Sequence, residues 1–166
     1  MKAHRLLLSG MVMLAALMLC TVTFAGSTSA NLPVTAEIAN SCTFGTVNTL
    51  AFGNYDTAVA NAAGGSDLAG SSTFGLTCTN GASIVIALGP GGHASGGQRY
   101  MASGANQLTY SLYSDSTRAT AWDTFTTVSD TGTGNSKTYT IYGLIPKGQA
   151  EPIGSYSDTV SINVSY

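Results

Sequence analysis

Thr159-Val160-Ser161-Ile162-Asn163-Val164-Ser165-Tyr166 alternates polar and apolar residues without an exception. A period of two marks a strand that buries one face and wets the other, because successive side chains of an extended backbone point to opposite sides. An amphipathic helix would instead repeat its apolar residues every three or four positions. Working back toward the N-terminus, the same period recurs in Tyr139 and Ile141, in Leu108, Tyr110 and Leu112, in Ile84, Ile86 and Leu88, and in Phe74, Leu76 and Cys78. It recurs once more in Leu32, Val34, Ala36 and Ile38, which alternate with Pro33, Thr35 and Glu37. Between these runs lie Gly, Asn, Asp and Ser clusters at 61–65, 89–97 and 130–135, which read as loops by their turn chemistry. Seven or eight short strands with turn signals at close intervals predict an all-β fold, an antiparallel sandwich of immunoglobulin-like type.

The composition agrees with one such domain. Only 8% of the 166 residues are charged against 44% hydrophobic, and there are 20 glycines, which suits a sheet with one buried face and a Ser/Thr-covered one. At the N-terminus Lys2 and Arg5 precede an apolar stretch from Met11 to Cys20, and small residues then lead to Ala25 and Ala30. This is the pattern of a secretory signal peptide over 1–25, with cleavage after Ala30 an equally good fit. The apolar stretch is too short to span a bilayer, which takes about 20 residues, and no later stretch substitutes for it, so no stable membrane insertion is predicted. A lipoprotein reading of Leu17-Met18-Leu19-Cys20 would tether the chain through an acylated cysteine; the bulky Met18 and Leu19 argue against it, and Cys20 reads as apolar filler.

Without the leader, Cys42 and Cys78 form an even pair in a disulfide-permitting compartment, read as one bridge with one possible pairing. Closing that loop is worth about 4 kcal/mol on the chain-entropy model. No Cys-x-x-Cys spacing suggests redox chemistry. Four cations, Arg99, Arg118, Lys137 and Lys147, stand against eight carboxylates, so the mature chain offers no basic patch to nucleic acid.

The residues that could carry chemistry are few. His93 lies in a glycine-rich stretch with Ser95 two residues on, but no Gly-x-Ser-x-Gly elbow accompanies them. Gly89-x-Gly91-x-x-Ala94 follows a predicted strand and imitates a dinucleotide fingerprint, yet no helix follows to hold a pyrophosphate. Once the leader is removed, one histidine, two bridged cysteines and scattered aspartates make no metal-ligand set. Asn163-Val164-Ser165 fits a glycosylation acceptor but sits within a strand. Tyr100, Tyr110, Tyr113, Trp122 and Tyr142 could form an aromatic sugar-binding platform, although such residues are more often core or cross-strand pairs. No catalytic residue, cofactor or metal is predicted, and the reading is that of a non-enzymatic protein.

Two features are odd for a self-contained sandwich. The sequence stops on Tyr166 inside its best alternating strand, so the far edge of that strand is expected to be open. At the other end, Leu32 to Ile38 alternates like a strand behind a polar Gly/Ser/Thr stretch that has little reason to fold alone. By periodicity, Leu32 to Ile38 is equally well an ordinary first strand of its own sandwich.

Taken in order, Cys42, Phe52-Gly53-Asn54-Tyr55, Cys78-Thr79, Arg99-Tyr100-Met101, Leu108-Thr109-Tyr110-Ser111-Leu112-Tyr113, Trp122 and Gly154-Ser155-Tyr156-Ser157-Asp158 resemble the spore coat protein U family, whose members include pilins of archaic chaperone/usher fimbriae. The resemblance implies an incomplete immunoglobulin-like sandwich over 42–166, completed by donor-strand exchange. It places the donor segment at 26–41, with Leu32, Val34, Ala36 and Ile38 as the inserted residues and Pro33, which cannot donate to a ladder, on the opposite face. Val160, Ile162, Val164 and Tyr166 then border the accepting edge. The implied partners are like or related pilin subunits, a periplasmic chaperone and an outer-membrane usher. The implied place is a surface fimbria reached through the periplasm, or a spore or cyst coat, with a role in adhesion or biofilm formation. The competing reading is a self-complemented, secreted carbohydrate-binding or adhesive domain; a secreted hydrolase is a distant third.

Overall fold

The computed structural model describes residues 25–166. The signal-peptide reading falls on 1–25 and so lies, but for Ala25, outside the described residues. The chain divides into two units, Met1–Ala36 and Glu37–Tyr166. In the first, residues 25–36 are exposed and carry no strand or helix. Among the described residues the second holds all the β structure, and there is no helix.

Eight strands follow in chain order: β1 (Cys42–Val47), β2 (Leu68–Cys78), β3 (Ser83–Leu88), β4 (Arg99–Ser103), β5 (Asn106–Tyr113), β6 (Val128–Thr131), β7 (Ser136–Ile145) and β8 (Ile162–Ser165). They form a five-stranded sheet, β1-β2-β7-β5-β4, and a three-stranded sheet, β6-β3-β8, and every pairing is antiparallel. The alternation read from the sequence is the alternation of burial. Phe74, Leu76 and Cys78 of β2, Ile84, Ile86 and Leu88 of β3, and Leu108, Tyr110 and Leu112 of β5 all enter one core. The two long central strands supply its spine, with Phe74 opposite Tyr139 in register and the two rings stacked at 5.3 Å. Trp122 packs against Phe74 at 6.2 Å and its indole N–H donates to the Ile86 carbonyl at 3.0 Å, so one side chain bridges the two sheets.

Local chemistry closes the short connections. β4 and β5 are joined by two residues, with Ser103 opposite Asn106 and Gly104 at a φ of 61°, the left-handed conformation that a tight hairpin demands and glycine adopts freely. The disulfide Cys42–Cys78 ties β1 to β2 at a position where the two residues also face each other in the ladder. On the β6 side, the Asp130 carboxylate of β6 pairs with Lys137 of β7 and accepts the Tyr139 hydroxyl at 2.8 Å, which fastens the two sheets together along that flank.

Three differences from the sequence reading have physical causes. Asp130 and Thr131 belong to β6 and not to a loop, because Ile84 and Ser83 of β3 recruit them into a ladder. The last strand is shorter than its alternation: it runs over Ile162–Ser165, with Val160 before it and Tyr166, 55% exposed, after it. Leu32 to Ile38, alternating as it is, pairs with no strand among the described residues. A period of two permits a strand, but a strand forms only where a neighbour supplies the other half of the hydrogen bonds.

Candidate functional site

The edge strands β1 and β8 each pair on one side only. Between the segments 47–57 and 151–162, which follow β1 and lead into β8, a groove of about 930 Å³ opens into the core. An apolar void of about 150 Å³ already takes a benzene-sized ligand, so this groove has room for several side chains. Its floor is the core itself: Leu88, Leu108, Leu112 and Ile145 line it, all of them buried.

One lip is the segment from Val47 to Thr57. It leaves the β1–β2 ladder after an irregularity between Phe44 and Val47. Asn48 anchors that departure: its N–H donates to the Thr73 carbonyl at 3.0 Å, its side-chain amide to the Thr73 hydroxyl at 2.9 Å, and its carbonyl accepts the Ser72 hydroxyl at 2.7 Å. At the far end the Tyr55 hydroxyl reaches the carbonyls of Pro146 at 2.8 Å and Asn61 at 3.2 Å, and accepts the Gln149 N–H at 3.1 Å. Between the anchors, the backbone of 49–54 makes no hydrogen bond among the described residues. It is held by side chains. Leu50 and Phe52 lie over Gly70 of β2 and Gly143 of β7, which are register partners; a Cβ on Gly143 would stand 2.6 Å from Phe52 Cζ and one on Gly70 3.0 Å from Phe52 Cδ1. The absence of two neighbouring side chains therefore makes the flat bed on which the lip rests. Phe52 meets Tyr110 edge to face at 6.3 Å.

The other lip is the segment 151–160 with Ile162. Its outer side is paired: Ser157 exchanges both backbone hydrogen bonds with Ala102 of β4, at 2.9 and 3.1 Å, while the Thr159 and Ser161 carbonyls accept Gly92 and Gly89 at 3.0 and 2.8 Å. At its centre is Asp158, whose side chain is 3% exposed. It accepts the Tyr110 hydroxyl at 2.6 Å, the Gly92 and His93 N–H groups at 2.9 and 3.2 Å, and faces His93 Nδ1 at 3.1 Å. Burial pushes the Asp158 carboxyl up, but the hydrogen bonds, led by that of Tyr110, outweigh it and hold the group below the usual carboxylate range. Burial and the neighbouring Asp158 push the Tyr110 phenol far above its ordinary value. Arg99 sits in the same wall with its guanidinium donating to the carbonyls of Gly89 at 2.7 Å and Trp122 at 3.1 Å, and burial lowers its pKa. These groups are mutually satisfied, and His93 serves the loop that Asp158 organises.

Of the residues predicted for the accepting edge, Val160 and Ile162 line the groove. Val164 stands opposite Ile86 on β8 and packs on the core, and Tyr166 lies beyond the strand. The predicted donor residues Leu32, Val34 and Ile38 are 83%, 86% and 86% exposed, and Ala36 is exposed as well. The five aromatics considered as a platform do not share a surface, since Trp122 and Tyr110 are 1% and 4% exposed and belong to the core. Periodicity missed the 48–57 lip and the glycine bed beneath it. The signal available was Phe52-Gly53-Asn54-Tyr55, a family motif in an otherwise unpatterned stretch.

Residues 28–163 match the model of the Spore Coat Protein U domain. Protein U of Myxococcus xanthus is 35% identical over 155 residues, covering 86% of this chain and 87% of that protein. In three dimensions the chain resembles, with a TM-score of 0.57 and 22% identity, a chain in the crystal structure of a chaperone–tip adhesion subunit pre-assembly complex from archaic chaperone-usher Csu pili of Acinetobacter baumannii; the match covers 78% of this chain and 40% of that one. That likeness is one of fold.

Proposed function

The chain belongs to the Spore Coat Protein U domain family, and from that premise we propose that it is a structural subunit of a surface fimbria that polymerises by lending its segment 26–41 to the groove of a neighbouring copy. A single observation carries this reading: the same sequence holds an apolar-floored groove and a segment whose alternate apolar residues are exposed. Each supplies what the other lacks. An open sheet edge recruits any compatible strand through its unpaired N–H and C=O groups, and side chains at every second position set the register. Leu32, Val34 and Ile38 gain about 1.5 to 3 kcal/mol each on burial, and Ala36 gains less. The gross gain is about 5 to 10 kcal/mol before the costs of ordering. The acceptor's core is sealed in the same step, so release requires partial unfolding and the contact is long-lived.

Until a donor arrives, the unpaired edges of β1 and β8 need protection. That is the task of a periplasmic chaperone, with an outer-membrane usher as the exit, and it puts the assembled protein on the cell surface in a polymer that supports adhesion or biofilm formation. The likeness in fold to a chain from a chaperone-usher pilus complex supports these partners. The test is assembly with the donor residues altered. Ile38→Asp places a charge where an apolar anchor must enter the groove, and fibres are expected to disappear while export to the periplasm continues. Unchanged fibre yield from Ile38→Asp, or a wild-type chain that stays a closed monomer at high concentration, overturns the reading.

A further inference from the structure

The ladder between β1 and β2 ends at the disulfide pair, Cys42 opposite Cys78. One position further, Thr79 faces Ser41, and the Thr79 N–H donates to the Ser41 carbonyl at 2.9 Å. A regular ladder would return that bond from the Ser41 N–H to the Thr79 carbonyl. That carbonyl is engaged instead by the Ala82 N–H at 3.0 Å, in the turn that leads from β2 to β3. The Thr79 hydroxyl takes over the vacated role: Oγ1 accepts the Ser41 N–H at 3.1 Å and itself stands 3.3 Å from the carbonyls of both Ala39 and Ser41. One side chain thus reproduces a strand partner for the residues just outside the disulfide.

Resting on the donor-strand reading above, we infer that Thr79 is the positioning residue of the joint between successive subunits. Ile38 is the last apolar residue of the donor segment, and Ser41 is already fixed to the chain's own body. Only Ala39 and Asn40 lie between them, and Thr79 reaches the first of the two. Three residue steps of extended chain span at most about 10 Å, so the last donor residue in the neighbour's groove and the donor's own Ser41, one residue before β1, are held that close. With the near end pinned by hydrogen bonds and a disulfide, little of this connection behaves as a flexible linker. Thr79 is not among the residues lining the groove, so it acts on the angle and stiffness of the joint and not on capture.

Two measurements test this on the full chain. Amide exchange at Ser41 is expected to quicken by about five- to tenfold in Thr79→Val, the factor that one lost hydrogen bond carries, and to stay at the wild-type rate in Thr79→Ser. Fibres of Thr79→Val, imaged by electron microscopy, are expected at the wild-type yield with a persistence length reduced by about twofold or more, restored in Thr79→Ser. A second variant leaves Thr79 and the fold alone: two glycines inserted between Ala39 and Asn40 are expected to loosen fibres similarly with Ser41 still protected. Unchanged exchange at Ser41 in Thr79→Val, or unchanged stiffness in the insertion variant, overturns the joint while leaving donor-strand assembly standing. Failure of the wild-type chain to form fibres overturns both.

Discussion

Asp158 is a carboxylate whose charge is settled by its donors. Its folded pKa lies below the unfolded value of about 3.9, so the stability it contributes is present above that value and is lost as pH falls through the folded pKa. Asp130 has the same sign, held down to about 2 by Lys137, by the Tyr139 hydroxyl and by the Thr131 N–H. The melting temperature is therefore expected to change little from about pH 8 to about pH 5 and to fall between about pH 4 and about pH 2. Thermal melts across that range check it, and Asp158→Asn combined with Asp130→Asn should shrink the acid limb without removing it, because hydrogen bonds also hold Asp56, Asp115 and Asp123 below the usual carboxylate range. Tyr110→Phe leaves the buried Asp158 short of its closest donor and is expected to cost about 1 to 3 kcal/mol in urea unfolding. Gly143→Ala fails for a steric reason: the new methyl falls on the Phe52 ring, and overpacking of that kind costs about 1 to 3 kcal/mol. Because Phe52 lies on the groove's lip, the variant should also lose donor capture, seen as fewer fibres at equal folded protein.

Among the elements, β1 is the one whose attachment decides the groove. It has a ladder on one side only, and the disulfide to β2 is its covalent hold. Replacing Cys42 and Cys78 together by serine is expected to cost about 2 to 4 kcal/mol. The loss should be uneven. Amides of Thr43 to Val47 are expected to exchange faster than those of β5, which lies between β4 and β7 inside the same sheet, because local opening starts where the fewest contacts must break. Equal acceleration in both strands would show that β1 does not open as a unit. The lip at 48–57 begins where β1 ends, so a frayed β1 also withdraws one wall of the groove.

At the scale of the whole molecule, an Ile38→Asp chain should keep an empty groove and accept a donor added in trans. A synthetic peptide of residues 30–41 is expected to raise its melting temperature by mass action, in proportion to the logarithm of peptide excess over Kd, whereas the same peptide carrying Ile38→Asp should leave it unchanged. Much of this protein was legible from residue order. Alternation placed the buried faces of β2, β3, β5 and β7, and the cysteine count paired Cys42 with Cys78, because side-chain direction on a strand and the parity of thiols are local or countable properties. The short β1, β4 and β6 left no such trace, and Asp130 reads as a turn residue until Ile84 stands across from it. The groove is legible only in three dimensions. Its width depends on Leu50 and Phe52 bedding over two glycines 73 positions apart, Gly70 and Gly143, and on Ser157 pairing with Ala102. The residues themselves determined which faces are apolar; only the packed structure decided which apolar face stays open, since a gap between two sheets arises from pairings made across the chain and not within any one segment.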